Sequence, residues 1–250
     1  MGTDLPKIKI LYDNTAVRKN VKPAWGFAAL VEYRGRTILF DTGAKADLLL
    51  ANLKALRVSP EAVTDIFISH NHWDHTGGLF GFLSKNPKVK VWLPASFSSV
   101  YQNELAASGA KSVRLKGPAR IAAGIYSGGE LGKEIKEQAL VLETSQGLIL
   151  LTGCSHPGII GIVKKAKADF KKDVFLVIGG FHLYALSDKM VRRIIGQLKA
   201  SGVRKVAPCH CTGKKAGSLF ARELKKDFIK IGAGSIIDTG KLTCHAKFKA

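Results

Sequence analysis

The sequence predicts an α/β fold in which two central sheets are covered by helices, and three observations carry that prediction. Short β-branched runs alternate with amphipathic helical stretches along the chain. No Pro/Ser-rich linker or low-complexity segment divides it. Histidines recur where predicted strands end, at His70, His156, His182 and His210. Hairpins among the strands favour two packed sheets, while the pattern leaves a doubly wound single sheet as the alternative. With 250 residues, 46% of them hydrophobic, the chain can bury a substantial core, and one domain over residues 1–250 is expected.

The elements follow in order. Lys7 to Tyr12 is extended, and Trp25–Tyr33 and Thr37–Phe40 form a hairpin around Arg34-Gly35, closed by Asp41-Thr42-Gly43. Residues 46–56, ADLLLANLKAL, suit a helix, and TDIFIS at Thr64–Ser69 suits a buried strand ending where the histidines begin. Gln138–Glu143 and Leu148–Thr152 flank a Ser145-Gln146-Gly147 turn. Ile159–Phe170 reads as a helix and Asp173–Ile178 as another buried strand. Ser187 can cap a helix through about Ala200, with Val191, Ile194, Ile195 and Leu198 on one face, before a short strand at Val203–Ala207.

The net charge of +20 is spread over both halves, so it is a global bias rather than a basic tail. Such a field favours anionic partners, whether a small phosphorylated molecule, nucleic acid or an anionic surface. A lysine-rich composition of the heat-adapted kind explains it equally well. The opening MGTDLPKIKI lacks the apolar core of a secretion signal, and no apolar run approaches the roughly 18–20 residues that span a bilayer. A cytoplasmic protein with no membrane partner is expected; Pro6 spoils the lipidation pattern that Gly2 suggests. The cysteines, Cys154, Cys209, Cys211 and Cys244, form no CxxC pair, and reduced thiols are expected. Oligomeric state is not legible.

The chemistry concentrates in His70-Asn71-His72-Trp73-Asp74-His75, four strong metal ligands in six residues. Imidazoles and carboxylates suit divalent metals, and a loop running into a helix can aim alternate side chains at two neighbouring ions. Without a cation, four such groups would repel or desolvate one another. A solvated polar loop is the alternative. Gly77-Gly78 then permits close backbone approach.

The H-x-H-x-D-H pattern of His70, His72, Asp74 and His75 resembles the signature of the metallo-β-lactamase superfamily. FDTG at Phe40–Gly43, LLTGCSHPGI at Leu150–Ile159, GGFHL at Gly179–Leu183 and PCHCTG at Pro208–Gly213 extend the likeness over most of the chain. Together they resemble its branch of dihydropterin ribofuranosylaminobenzene-phosphate synthase-like proteins. The resemblance implies an αββα four-layer sandwich with a metal site at one edge between the sheets. It implies that His70, His72 and His156 hold one ion and Asp74, His75 and His210 a second. It also implies that Asp41 orients a ligand from behind. Where the family often bridges its ions with an aspartate, this chain has Cys154, which either offers a thiolate or packs as a small buried residue; the latter is preferred. His182 follows two glycines and either contacts substrate phosphate, donates a proton, or packs. Cys209 and Cys211 flank His210, so alternation should turn both away from the metal.

The expected activity is that of a metal-dependent hydrolase with one or two divalent ions, zinc first, with manganese, iron or magnesium also suited. Asp74 would ligate and orient the nucleophile. The substrate expected is an anionic, phosphate-bearing small molecule, in this branch a pterin-related one. Two rivals stand beside it: a nuclease or phosphodiesterase, for which no RNA-recognition motif is present, and a non-catalytic metal or ligand sensor.

Overall fold

A computed structural model describes residues 5–242; Gly2 and Cys244, weighed above, lie outside them. The first strands are β1 (Lys7–Tyr12), β2 (Ala28–Tyr33) and β3 (Arg36–Phe40), an antiparallel meander. Tyr33 pairs with Arg36, leaving a two-residue turn in which Arg34 and Gly35 both take positive φ, +46° and +73°. That geometry suits the right-handed twist of a hairpin. The chain continues through α1 (Ala46–Ala55), β4 (Asp65–Phe67), α2 (Trp73–Thr76), α3 (Leu79–Leu83), β5 (Lys90–Pro94), α4 (Ser99–Ala107) and β6 (Lys111–Leu115). β3 through β6 are parallel to one another, as helical crossovers require.

The second half supplies β7 (Ala119–Ala122), β8 (Ile125–Ser127), β9 (Leu140–Thr144), β10 (Gly147–Thr152), α5 (Ile159–Phe170), β11 (Val174–Gly180), α6 (Asp188–Ala200), β12 (Lys205–Cys209), α7 (Lys214–Leu224) and β13 (Ile236–Asp238). The last strand returns to the first sheet, whose order is β13-β1-β2-β3-β4-β5-β6. The second sheet runs β12-β11-β10-β9-β8-β7, which excludes the doubly wound alternative. Ser187 caps α6 as expected, its hydroxyl accepting from the Met190 amide, although Ile194 is only partly buried.

Strand alternation explains the four layers. Ile38 and Phe40 of β3 point between the sheets and meet Ile149 and Leu151 of β10, while Leu39 and Leu150 point the other way. Leu39 packs on Leu49, Leu53 and Phe82 from α1 and α3; Leu150 packs with Val163, Val191 and Phe220 from α5, α6 and α7. Both faces of each sheet are covered, which is why the central strands read as unbroken apolar runs. The result is the αββα four-layer sandwich.

One loop walls the site. Residues 13–27, between β1 and β2, are pinned by Asn52, buried on α1. Its amide nitrogen donates to the Leu11 and Lys22 carbonyls, both at 2.9 Å, and its oxygen accepts the Lys22 amide at 3.0 Å. Val17 and Thr15 bond the backbone of Ala233, and the Phe27 amide donates to the Asp74 carbonyl.

Candidate metal centre

The carboxyl ends of β3, β4, β10, β11 and β12 meet at one edge of the sandwich, where open α/β sheets present side chains to ligands. Asp41 leaves β3 in a left-handed conformation, φ +53°, with its carboxylate fully buried. One oxygen accepts the Ser69 amide at 2.7 Å; the other accepts the Ser69 hydroxyl at 2.7 Å and faces His75 Nδ1 at 2.7 Å. Burial opposes charge on His75, yet the Asp41 carboxylate holds its pKa above the ordinary value. The Ser69 hydroxyl, its proton committed to Asp41, accepts from His70 Nδ1 at 2.9 Å.

His210 is held from the opposite side. It leaves β12 with φ +49°; its amide donates to Asp13 Oδ1 at 2.8 Å and its Nδ1 meets Asn14 Oδ1 at 3.1 Å. Three histidines thus have Nδ1 occupied by a polar side chain, which leaves Nε2 as the inward-facing atom. His210 Nε2 lies 3.2 Å from Asp74 Oδ2, and the indole of Trp25 donates to that same oxygen at 2.8 Å. Burial pushes the Asp74 carboxyl up, but the neighbouring His210 and His75 rings more than offset it and hold its pKa at about 2.

His156 sits in the segment joining β10 to α5, and Glu137 shapes that segment. The Glu137 carboxylate, 1% exposed, accepts the amides of Gly153, Cys154, Ser155 and His156 at 3.0, 3.1, 2.9 and 2.8 Å. Burial raises its pKa to about 7 against those donors. Gly153 is required here: a Cβ would stand 2.1 Å from Ser69 Oγ. Gly77 and Gly78 are tighter than a loop needs, since a Cβ on either would stand 2.2 Å from a backbone oxygen, of Ala44 or Thr42.

Two triads result. His70, His72 and His156 bring ligand atoms within 4.8 Å of one another, as do Asp74, His75 and His210. His70 Nε2 and His72 Nδ1 face each other at 3.1 Å. Cys154 lies between the triads, its Sγ 3.3 Å from His75 Nε2 and grouped with His70 as well. Burial and the other rings lower the pKa of His70, and that of His156 to about 4, so both present neutral imidazoles. His156 Nε2 is buried with no hydrogen-bond partner. An orphaned imidazole nitrogen beside two more histidines fits a cation, and the donor set suits zinc, manganese or iron.

Cys209 lies in the core between the sheets. Cys211 does not follow it, because the left-handed His210 breaks strand alternation and turns Cys211 toward Cys154 and His210. His182, also left-handed at φ +52°, places its ring 4.6 Å from that of His156 at the rim. Its pKa is raised by Cys211, against burial. Asp13, Asn14, Trp25 and Glu137 carry no functional signal in the sequence: Asn14 and Trp25 flank no motif, and the Glu137 carboxylate binds backbone amides.

Comparison with known proteins agrees with this geometry. The Metallo-beta-lactamase superfamily profile matches residues 26–164. A protein of Methanocaldococcus jannaschii, named 7,8-dihydropterin-6-methyl-4-(beta-D-ribofuranosyl)-aminobenzene-5'-phosphate synthase, is 33% identical over 86% of this chain and 91% of its own length. The crystal structure of Tm1679, described as a metal-dependent hydrolase of the beta-lactamase superfamily, superposes with a TM-score of 0.79 at 28% identity, covering 93% of this chain and 98% of that one. Human tRNase Z, short form, shares the fold at a TM-score of 0.62 and 16% identity, over 93% of this chain and 98% of that one.

Proposed function

We propose that this chain, which belongs to the metallo-beta-lactamase superfamily, is a metal-dependent enzyme acting on an anionic, phosphate-bearing small molecule related to the pterins. The observation that carries the proposal is the convergence of two three-residue ligand sets at one sheet edge, with the outer nitrogens of His70, His75 and His210 already committed. His70, His72 and His156 would hold one divalent ion; Asp74, His75 and His210 would hold another. Cys154 lies between the two ligand sets, its Sγ beside His75 Nε2. Such ions supply a nucleophile at neutral pH and stabilise developing oxyanion charge.

The chain's own groups have distinct tasks. Asp74, ionised throughout the neutral range and oriented by the Trp25 indole, aligns the attacking group. His182, beside His156 at the rim, passes a proton to the departing group. The substrate class rests on the +20 charge and on the relative's name, which is that of a synthase; the reaction is therefore hydrolysis or transfer from a phosphate-bearing precursor.

Purified protein should carry one or two transition-metal ions, and His72→Ala should lose both occupancy and turnover. Absence of bound metal after reconstitution with zinc, manganese and iron refutes the proposal. A panel of phosphomonoesters, phosphodiesters, thioesters, lactones and pterin phosphates separates the classes: turnover of nucleic acid alone supports a nuclease, and metal binding without any turnover supports a sensor.

A further inference from the structure

A cavity of about 790 Å³ adjoins the metal centre at His210, the one member of the two triads in its lining, together with Asp13 and Asn14 that hold that residue. That volume suits a one- or two-ring small molecule. Its walls include Trp25, 48% exposed, Tyr184, 60% exposed, and the partly buried Phe228. Large rings left in water beside a cavity are the unusual feature here. Trp25 is fixed by its bond to Asp74 Oδ2, and Tyr184 packs on Gly213, where an added Cβ would stand 2.8 Å from the tyrosine Cβ. The Trp25 ring is thereby set in place beside Asp74, and Tyr184 is positioned through its backbone and Cβ, with its ring 5.5 Å from that of His182.

The same cavity is lined by Lys214, the first residue of α7, and Lys230. Among the described residues neither ammonium makes an ion pair, whereas the nearby Lys215 and Lys205 pair with Asp188 and Asp227. The acidic group in the lining is Asp13, and both its oxygens are already engaged, one by the His210 amide and the other by Thr15. The first-turn amides of α7 add to the same positive end. A second cavity of about 260 Å³, against His156 and His182, has no lysine or arginine in its lining. Unpaired cationic charge and flat aromatic surface coincide on the His210 side.

We propose that this cavity binds an aryl phosphate, with Lys214 and Lys230 holding the phosphate and Trp25 and Tyr184 holding the ring. The inference rests on the reading above that the substrate is an anionic small molecule, and it assigns that molecule's seat and the residues that select it. Recognition by two ammonium groups is charge-assisted and by the rings is dispersive, so the two halves are separable by experiment.

Zinc-loaded protein should be titrated with phenyl phosphate, phenol and inorganic phosphate, by calorimetry and by tryptophan fluorescence. Phenyl phosphate should bind more tightly than either fragment. The double variant Lys214→Ala/Lys230→Ala, altering two exposed side chains, should weaken phenyl phosphate and inorganic phosphate about tenfold or more, as loss of a bond to a charged group does, and leave phenol unchanged. Tyr184→Ala should weaken phenyl phosphate and phenol, not inorganic phosphate. Unchanged affinity in the lysine variant, or phenyl phosphate binding no tighter than inorganic phosphate, overturns the assignment. Binding that follows this pattern without turnover of any substrate leaves the site standing and defeats the catalytic reading. Turnover that is indifferent to the lysines does the reverse.

Discussion

Asp41→Asn is nearly isosteric, yet it should disturb both triads, because one buried carboxylate anchors two histidine rings. Asp41 Oδ1 can survive as the amide oxygen and keep the Ser69 amide at 2.7 Å. The other atom becomes an NH2 facing the Ser69 hydroxyl and His75 Nδ1, each at 2.7 Å. A donor now faces two donors. Relief requires His75 to move its proton to Nε2, the atom a cation needs, and Ser69 to turn its hydroxyl toward His70 Nδ1 and disturb that ring in the same way. Loss of one buried hydrogen bond to a charged group costs about 1.5–3 kcal/mol, and disruption of the partner behind a metal-bound histidine lowers affinity about 10–100-fold. Competition for zinc against a chromophoric chelator should show that loss, and the less tightly held ion should leave first. Ser69→Ala, which interrupts only the relay to His70, should show a smaller loss. Zinc affinity and stoichiometry in Asp41→Asn equal to those of the parent would refute the reasoning.

Three further predictions follow from other parts of the site. Burial raises the Glu137 pKa from the carboxylate range to about 7, so the folded, chelator-treated protein binds this proton more tightly than the unfolded chain. Its contribution to stability is therefore lost as pH rises from about 4.5 through about 7. Thermal melts over that window should show Glu137→Gln lacking this part of the slope, and parallel curves would refute it. Gly78→Ala would place a Cβ 2.2 Å from the Thr42 carbonyl oxygen. Overpacking of about 1–3 kcal/mol lowers Tm by roughly 2–12 °C in a chain of this size, measurable by circular dichroism. Asn14→Ala removes the acceptor for His210 Nδ1 and the donor to the His210 carbonyl. Zinc affinity should fall about tenfold, while stoichiometry at saturation is kept.

Much of the fold was legible because its signals are local. Buried runs such as Leu148–Thr152 and Asp173–Ile178 mark strands, and four ligands within six residues announce chemistry by spacing alone. The edge strands β6 and β7 are not legible in this way, because their residues are largely exposed or half-exposed and no apolar period marks them. The partners of the histidines were hidden for another reason. Asn14 reaches His210 across 196 residues, and Glu137 reads backbone amides 16–19 residues away, contacts that leave no pattern in side-chain type. Cys211 misled because alternation presumes extended backbone, and His210 departs from it.

The clamp made by Asn52 bears on how a ligand reaches the centre. Trp25 sits on the β1–β2 loop, and loops beside active sites are commonly drawn from the least stable parts of a protein. Here the loop is fastened to the body of the fold at Asp13, Asn14, Thr15, Val17, Asn20, Lys22 and Phe27, which leaves the short tip at Arg18 and Lys19 as its least tied part among the described residues. It behaves as a fixed wall and not as a lid. Amide hydrogen exchange should show Lys22, Gly26 and Phe27 protected with the sheet and only the tip exchanging rapidly. Association with a small molecule should then be set by diffusion into an open cleft, with no slow gating step in the binding kinetics, and Asn52→Ala should introduce one.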